Sequence, residues 1–167
     1  LRIKKGEKSK KSNETSYWTP DDLYDFLTKK YRFEPNCDIA ATKANSICQF
    51  YYDKGMNALQ IIKWRLPKRL RRRIICWCNP PNDNMGKFIY KVYEQYNKFG
   101  IRTMMILPTN IMGTKAWWKC VEDPIDRGEK IFFKAIYRRP QFKLRGKNSE
   151  HSSINSYLVV IFGRKKR

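Results

Sequence analysis

Four consecutive residues, Asn79-Pro80-Pro81-Asn82, could do chemistry on a flat nitrogen-bearing group. The side-chain carbonyl of an asparagine accepts a hydrogen bond, and so does the main-chain carbonyl of a proline. Aimed at one exocyclic NH2, two such acceptors hold both of its hydrogens. They favour pyramidal geometry at the nitrogen and expose its lone pair to an electrophile, with no base of unusual pKa required. Asn79, Pro80, Pro81 and Asn82 are therefore the candidate catalytic residues. The competing reading is a plain tight turn, where such dipeptides are common.

What must position them is the apolar run Ile74-Ile75-Cys76-Trp77-Cys78 just before. It reads as a buried strand, released from its sheet where proline withholds the N–H that pairing needs. In an open α/β sheet, ligands sit just beyond such strand ends. Asp38 also follows an extended segment. An acid there can bind a ribose or ammonium group, or equally cap a following helix.

The remaining pattern fits one α/β domain. Thr19-Pro20-Asp21-Asp22 predicts a helix start with Thr19 as cap, followed by a buried stripe of Leu23, Phe26 and Leu27. A second helix is expected from Thr42 or Lys43 to about Tyr51, and Trp64 and Leu66 read as anchors. After the strand at 74–78, Asp83 is a possible cap for a helix through Phe88, Ile89, Val92, Tyr93 and Tyr96 that Gly100 ends. A strand at 101–107, a helix within 110–121 and strands at 131–137 and 157–162 complete the order. The βαβ rhythm implies five or six strands in a mostly parallel sheet with helices on both faces, and the last two strands as an antiparallel pair at one edge. Of Trp117 and Trp118, only one ring can face the core squarely.

Of 167 residues, 36 are Lys or Arg and 15 are Asp or Glu, a net charge of +21 that attracts polyanions. Nucleic acid is the favoured partner, with an anionic membrane surface or an acidic protein as alternatives. In the densest basic cluster, Lys68, Arg69, Arg71, Arg72 and Arg73, the four arginines are expected to contact phosphate together with an N-terminal arm bearing Lys4 and Lys5. Residues 1–16 read as that flexible basic arm, 17–162 as the domain and 163–167 as a basic tail. No apolar run approaches the ~18–20 residues of a membrane span, and no stretch has a signal-peptide pattern. The five cysteines read as reduced core residues. With Cys76 and Cys78 expected on opposite faces of their strand and His151 the single histidine, no metal site is expected.

The chain resembles the small phage-type DNA adenine-N6 methyltransferases, a branch of the S-adenosylmethionine-dependent amino-methyltransferases. The matching pieces are Trp18-Thr19-Pro20, Phe33 with Asp38-Ile39-Ala40-Ala41, Asn45, Trp64, Cys78-Asn79-Pro80-Pro81, Leu107-Pro108, Trp117-Trp118 and Val159-Val160-Ile161. They occur in the family's order across residues 17–162. The resemblance implies a three-layer Rossmann-like methyltransferase fold, with S-adenosylmethionine as cofactor and DNA favoured over RNA. Thr19, Pro20, Asp38 and Asn57 would hold the methyl donor, while Asn79, Pro80 and Pro81 would grip the adenine N6 amine. Two positions depart from the pattern. Asn82 stands where relatives carry an aromatic ring, and Asn57-Ala58-Leu59 where they commonly carry Asp-Gly-Leu.

Two functions follow. One is methyl transfer to adenine N6 in DNA. The alternative is a catalytically inactive, methyltransferase-like, nucleic-acid-binding structural subunit of a larger nucleoprotein assembly. Either would act inside a cell, in host cytoplasm or nucleus as a phage- or virus-encoded protein, or in association with a virion.

Overall fold

The computed structural model describes residues 2–3, 17–70, 72–137, 143–144, 147–148 and 156–163. In chain order the elements are β1 (Arg2–Ile3), β2 (Tyr17–Trp18), α1 (Asp21–Tyr31), β3 (Cys37–Asp38), β4 (Phe50–Tyr51) and β5 (Ile75–Cys78). There follow α2 (Met85–Phe99), β6 (Arg102–Pro108), α3 (Lys115–Trp117), α4 (Asp123–Asp126) and β7 (Ile131–Ala135). The last are β8 (Lys143–Leu144), β9 (Lys147–Asn148) and β10 (Tyr157–Phe162).

Seven strands form the main sheet in the order β1-β4-β3-β5-β6-β10-β7. Pairs β4–β3, β3–β5 and β5–β6 are parallel, whereas β10 runs antiparallel between β6 and β7, and β1 antiparallel to β4. The sheet has more strands than the five or six expected, because β1, β3 and β4 are two residues each and too short to show a period. Arg2–Ile3 pairs with the sheet, while the rest of the expected arm, with Lys4 and Lys5, lies outside the described residues. A small second sheet joins β2, β8 and β9.

Helices cover both faces, giving three layers. On one face Leu27 of α1 packs with Phe33, Trp77, Met104, Ile106, Val159 and Ile161. On the other, α2 and the helical run 115–126 pack Ile89, Val92, Trp117 and Val121 against Cys76, Met105 and Val160. Each such side chain, fully withdrawn from water, contributes roughly 1.5–3 kcal/mol. Cys76 and Cys78 share this second face, correcting the expectation that they oppose each other, because residues two apart in a strand point the same way. All five cysteines are buried and free.

Several local expectations are corrected by the packing. Pro20, not Thr19, is the N-cap of α1, and its carbonyl accepts from Tyr24 N at 3.1 Å. Phe26 is half exposed beneath Lys30, while Leu23, Tyr24 and Tyr31 join Leu27 in the stripe. No helix spans 42–51. Asp38 and Asn45 capture the main-chain N–H groups of Ala40, Thr42 and Ile47, and side-chain acceptors of this kind compete with helix formation. A 3-10 turn at Asn82–Asn84 precedes α2, so Asn84 rather than Asp83 is its N-cap. Gly100 ends α2 with φ 63°, the left-handed conformation that glycine tolerates. The helix expected within 110–121 is a 3-10 turn (Thr109–Gly113), α3, a π turn (Trp118–Glu122) and α4 in succession.

Candidate active site

A cavity of about 810 Å³ opens at the carboxyl ends of β3, β4, β5 and β6. Its wall comes from the segment after β3, the turn after β4, the Asn79–Asn84 loop with the first turn of α2, and Ile106, Pro108 and Tyr157. Ile106 and Tyr157 belong to the layer under α1, whereas Ile39, Ala58 and Phe88 belong to the layer under α2. The cavity therefore passes over the strand ends from one face of the sheet to the other.

The Asn79 loop is held by a central strand of the sheet. β5 is bonded on both sides, Cys76 lying opposite Cys37 and Thr103. Ile39 N donates to Trp77 O at 3.0 Å, keeping the segment after β3 beside the end of β5. Beyond Cys78 the prolines stop the ladder, and Asn84 N donates to Pro81 O at 3.1 Å to close the 3-10 turn into α2. Asn79, Pro80 and Pro81 all line the cavity, and Asn82 lies exposed at its rim.

The opposite wall is a turn that follows β4. Asp53 Oδ1 accepts from Met56 N at 3.0 Å, and Asn57 N donates to Asp53 O at 3.1 Å. Asn57 has φ 39°, a left-handed conformation that asparagine tolerates better than most residues. Beneath the turn, Trp64 is fully buried and its Nε1 donates to Ala58 O at 2.9 Å. Gln95 of α2 in turn accepts from Trp64 N at 3.0 Å and donates to Ile62 O at 2.7 Å, so this wall is tied to the second helical layer.

The other candidate residues lie elsewhere. Asp38 is 5% exposed and stands behind the wall, its carboxylate accepting from Ala40 N at 3.2 Å and Ile47 N at 3.5 Å. It shapes the cavity-lining segment rather than lining the cavity itself. Thr19 and Pro20 are likewise not among the lining residues, and Pro20 is buried at the start of α1. Arg69, Arg72 and Arg73 are exposed at the amino-terminal end of β5, the end of the sheet away from the cavity. Arg71, Lys4, Lys5 and His151 lie outside the described residues. Trp117 is the buried ring of its pair, with Nε1 donating to Glu122 at 2.7 Å, while Trp118 is 55% exposed.

Asp53, Lys54, Lys87 and Tyr157 line the cavity without having been singled out from the sequence. For Asp53 a signal existed, since an acid directly follows the aromatic run Phe50-Tyr51-Tyr52. Tyr157 gave none, because its place depends on β10 entering beside β6, where it lies opposite Pro108.

Burial keeps three thiols and one phenol protonated. Burial raises the thiols of Cys37 and Cys78 well above their ordinary value and that of Cys120 to about 11, so none is a ready thiolate nucleophile. Burial, helped by Cys48 and Asp38, also raises the Tyr24 phenol, which stays protonated. At the end of β5 the cavity is lined by Asn79, Pro80 and Pro81, an amide and two prolines without an ionisable side chain. Among the described residues, no group of three or more His, Cys, Asp or Glu side chains could hold a metal ion, and no helix is long and apolar enough to cross a membrane.

No curated protein matches the chain. A family model described as DNA N-6-adenine-methyltransferase (Dam) matches residues 6–165.

Proposed function

The chain belongs to the DNA N-6-adenine-methyltransferase family, and from that premise we propose which of its residues carry the family's chemistry, S-adenosylmethionine-dependent methylation of adenine N6 in DNA. The main support is a single cavity that runs from the segment after β3 to Asn79 and Pro80. Its volume falls within the ~300–1,000 Å³ of small-molecule clefts. It has a polar turn at one end and an amide with two prolines at the other, a set of hydrogen-bonding groups that fits both a nucleoside-bearing ligand and an aromatic amine.

S-adenosylmethionine, when bound, supplies an electrophilic methyl group. In this reading Asp53, at the carboxyl end of β4, takes ribose hydroxyls, as an acid beyond a strand commonly does in such folds. Asn57 and the main chain of Ile39–Ala41 line the same end. Asp38 contributes by holding that segment in shape. Asn79 Oδ1 and the Pro80 carbonyl accept from the N6 amine and orient its lone pair toward the donor end.

An extruded base needs a surface to replace the stacking it loses. Base–aromatic stacking is worth about 1–3 kcal/mol, and Asn82 offers no ring. Tyr157 lies on the α1 side of the cavity and supplies an aromatic wall from the opposite strand. Its main chain is fixed from both sides, with Thr109 N donating to Ser156 O at 2.9 Å and Ile136 N to Tyr157 O at 2.8 Å.

Calorimetric titration with S-adenosylmethionine, followed by mass detection of N6-methyladenine in mixed DNA and RNA substrates, tests the assignment. Saturable donor binding with methylated DNA is expected. The exposed Asn82 favours a second reading, in which the chain binds nucleic acid as an inactive structural subunit. Nucleic-acid binding without donor binding or methyl transfer selects that reading.

A further inference from the structure

Strand direction gives the sheet two ends with different chemistry. β6 runs from Arg102 to Pro108 in the cavity wall, so the ends lie about 20 Å apart at ~3.3 Å per residue. At the end away from the cavity, Arg32 caps α1, Arg72 and Arg73 lead into β5, and Lys68 and Arg69 occupy the preceding turn. All five side chains are exposed. Of the acids at this end, Asp123 and Glu129 both bind Arg127, and Glu34 and Asp126 are the other described ones.

This surface is built rather than loose. Asn36 Nδ2 donates to Arg73 O at 3.0 Å, while Asn36 Oδ1 accepts from Ile75 N at 3.0 Å. Leu70 packs against the core between the arginines. On this braced main chain the exposed guanidinium groups present forked donors that match phosphate oxygens.

The target base and this array cannot easily share one short duplex. A base held at Asn79 keeps its flanking phosphates near the cavity mouth, since phosphates follow one another by only a few ångströms along a strand. Reaching the array would require the duplex to bend around the side of the protein, and the cost of bending grows with the angle. A separate segment reaches it without bending.

We propose that the amino-terminal end of the sheet is a second phosphate-contact surface, which holds a duplex segment other than the one presenting the target adenine. One molecule then tethers two segments of DNA. This rests on the DNA-directed reading above and adds a partner site to it.

The test uses two blunt duplexes of about one helical turn, too short to wrap the protein. One is immobilised on beads and the other is fluorescent and free. The full chain is expected to retain the free duplex on the beads. Arg69→Gln/Arg72→Gln/Arg73→Gln should cut that retention at least tenfold and reduce the slope of log retention against log salt by about 2–3, near 0.9 per lost phosphate contact. Affinity for one isolated duplex and for S-adenosylmethionine should change less than about twofold, with an unchanged urea midpoint confirming the fold. Retention unaltered by the substitutions overturns the proposal. An equal loss of single-duplex affinity also overturns it, because the cluster then serves the same duplex. Loss of phosphatidylserine-vesicle binding with bridging intact assigns the surface to membrane and overturns it as well. A chain that binds no single duplex refutes the DNA-directed reading itself, a separate result.

Discussion

The two ends of the sheet differ in chemistry, and in the reading proposed above they divide the work of a +21 charge and a neutral candidate site. At the carboxyl end the cavity mixes signs, with Lys54 and Lys87 beside Asp53 and Asp83, and its central groups are an amide and prolines. At the amino end, arginines and a lysine crowd the entries to β5 and the exit of α1. Methylating an amine needs hydrogen-bond geometry and a shaped space. Holding a polyanion needs charge density and little shape. Among the described residues, Arg32, Arg69, Arg72 and Arg73 thus lie about 20 Å from the candidate site.

The sharpest way to break that division is Asn79→Ala. Removing one preorganised polar group from a reacting centre typically lowers kcat by about 10²–10³. Initial rates on a short duplex should show that loss while single-duplex affinity stays near wild type. A parallel collapse of duplex affinity would mean that Asn79 is part of the binding surface alone.

The next effect concerns the base wall. Asn82→Tyr adds a ring at the cavity rim and should tighten base holding by about 1–3 kcal/mol, read as a fall in KM or as brighter 2-aminopurine fluorescence at the target position. Tyr157→Ala should move both readouts the other way by a similar amount, with donor affinity unchanged. If Tyr157→Ala leaves base holding intact, the wall is supplied from elsewhere.

At the basic end, Asn36→Ala removes the clamp on Arg73 and Ile75. A stability loss of about 1–2 kcal/mol in urea is expected from two lost hydrogen bonds, with kcat on a short duplex unchanged. A matching fall in kcat would show that the two ends are coupled.

The smallest effect lies on α2, which spans both ends. Hydrogen bonds from Lys91 and Lys98 hold the Glu94 carboxyl below its ordinary value. Its folded pKa is depressed, so its contribution is complete above the unfolded value near pH 4.3 and is lost as pH falls through the folded one. Surface pairs of this kind are worth only ~0.3–0.5 kcal/mol each, so Glu94→Gln should flatten the acid limb of stability by less than about 1 kcal/mol.

The central βαβ unit was legible because its signals are local. An apolar run, two prolines, a 3.6-residue stripe through Phe88, Ile89 and Val92, and Gly100 lie within about one helix length of one another. The helix expected from Thr42 or Lys43 to about Tyr51 is absent for the opposite reason. Small residues in this segment suit a helix, yet Asp38 and Asn45 take its main-chain donors.

From the sequence alone came the Asn79–Asn82 segment at a strand end, the excess of positive charge and the alternation of strands with helices. Each of these is written in neighbouring residues. Tertiary structure alone decided that Asp53 and Tyr157 meet Asn79 around one cavity, that Asp38 stands behind its wall, and that the arginines face away from it. Strand order and direction set those relations. They are chosen by which faces the sheet can bury together, and no short stretch of chain encodes them.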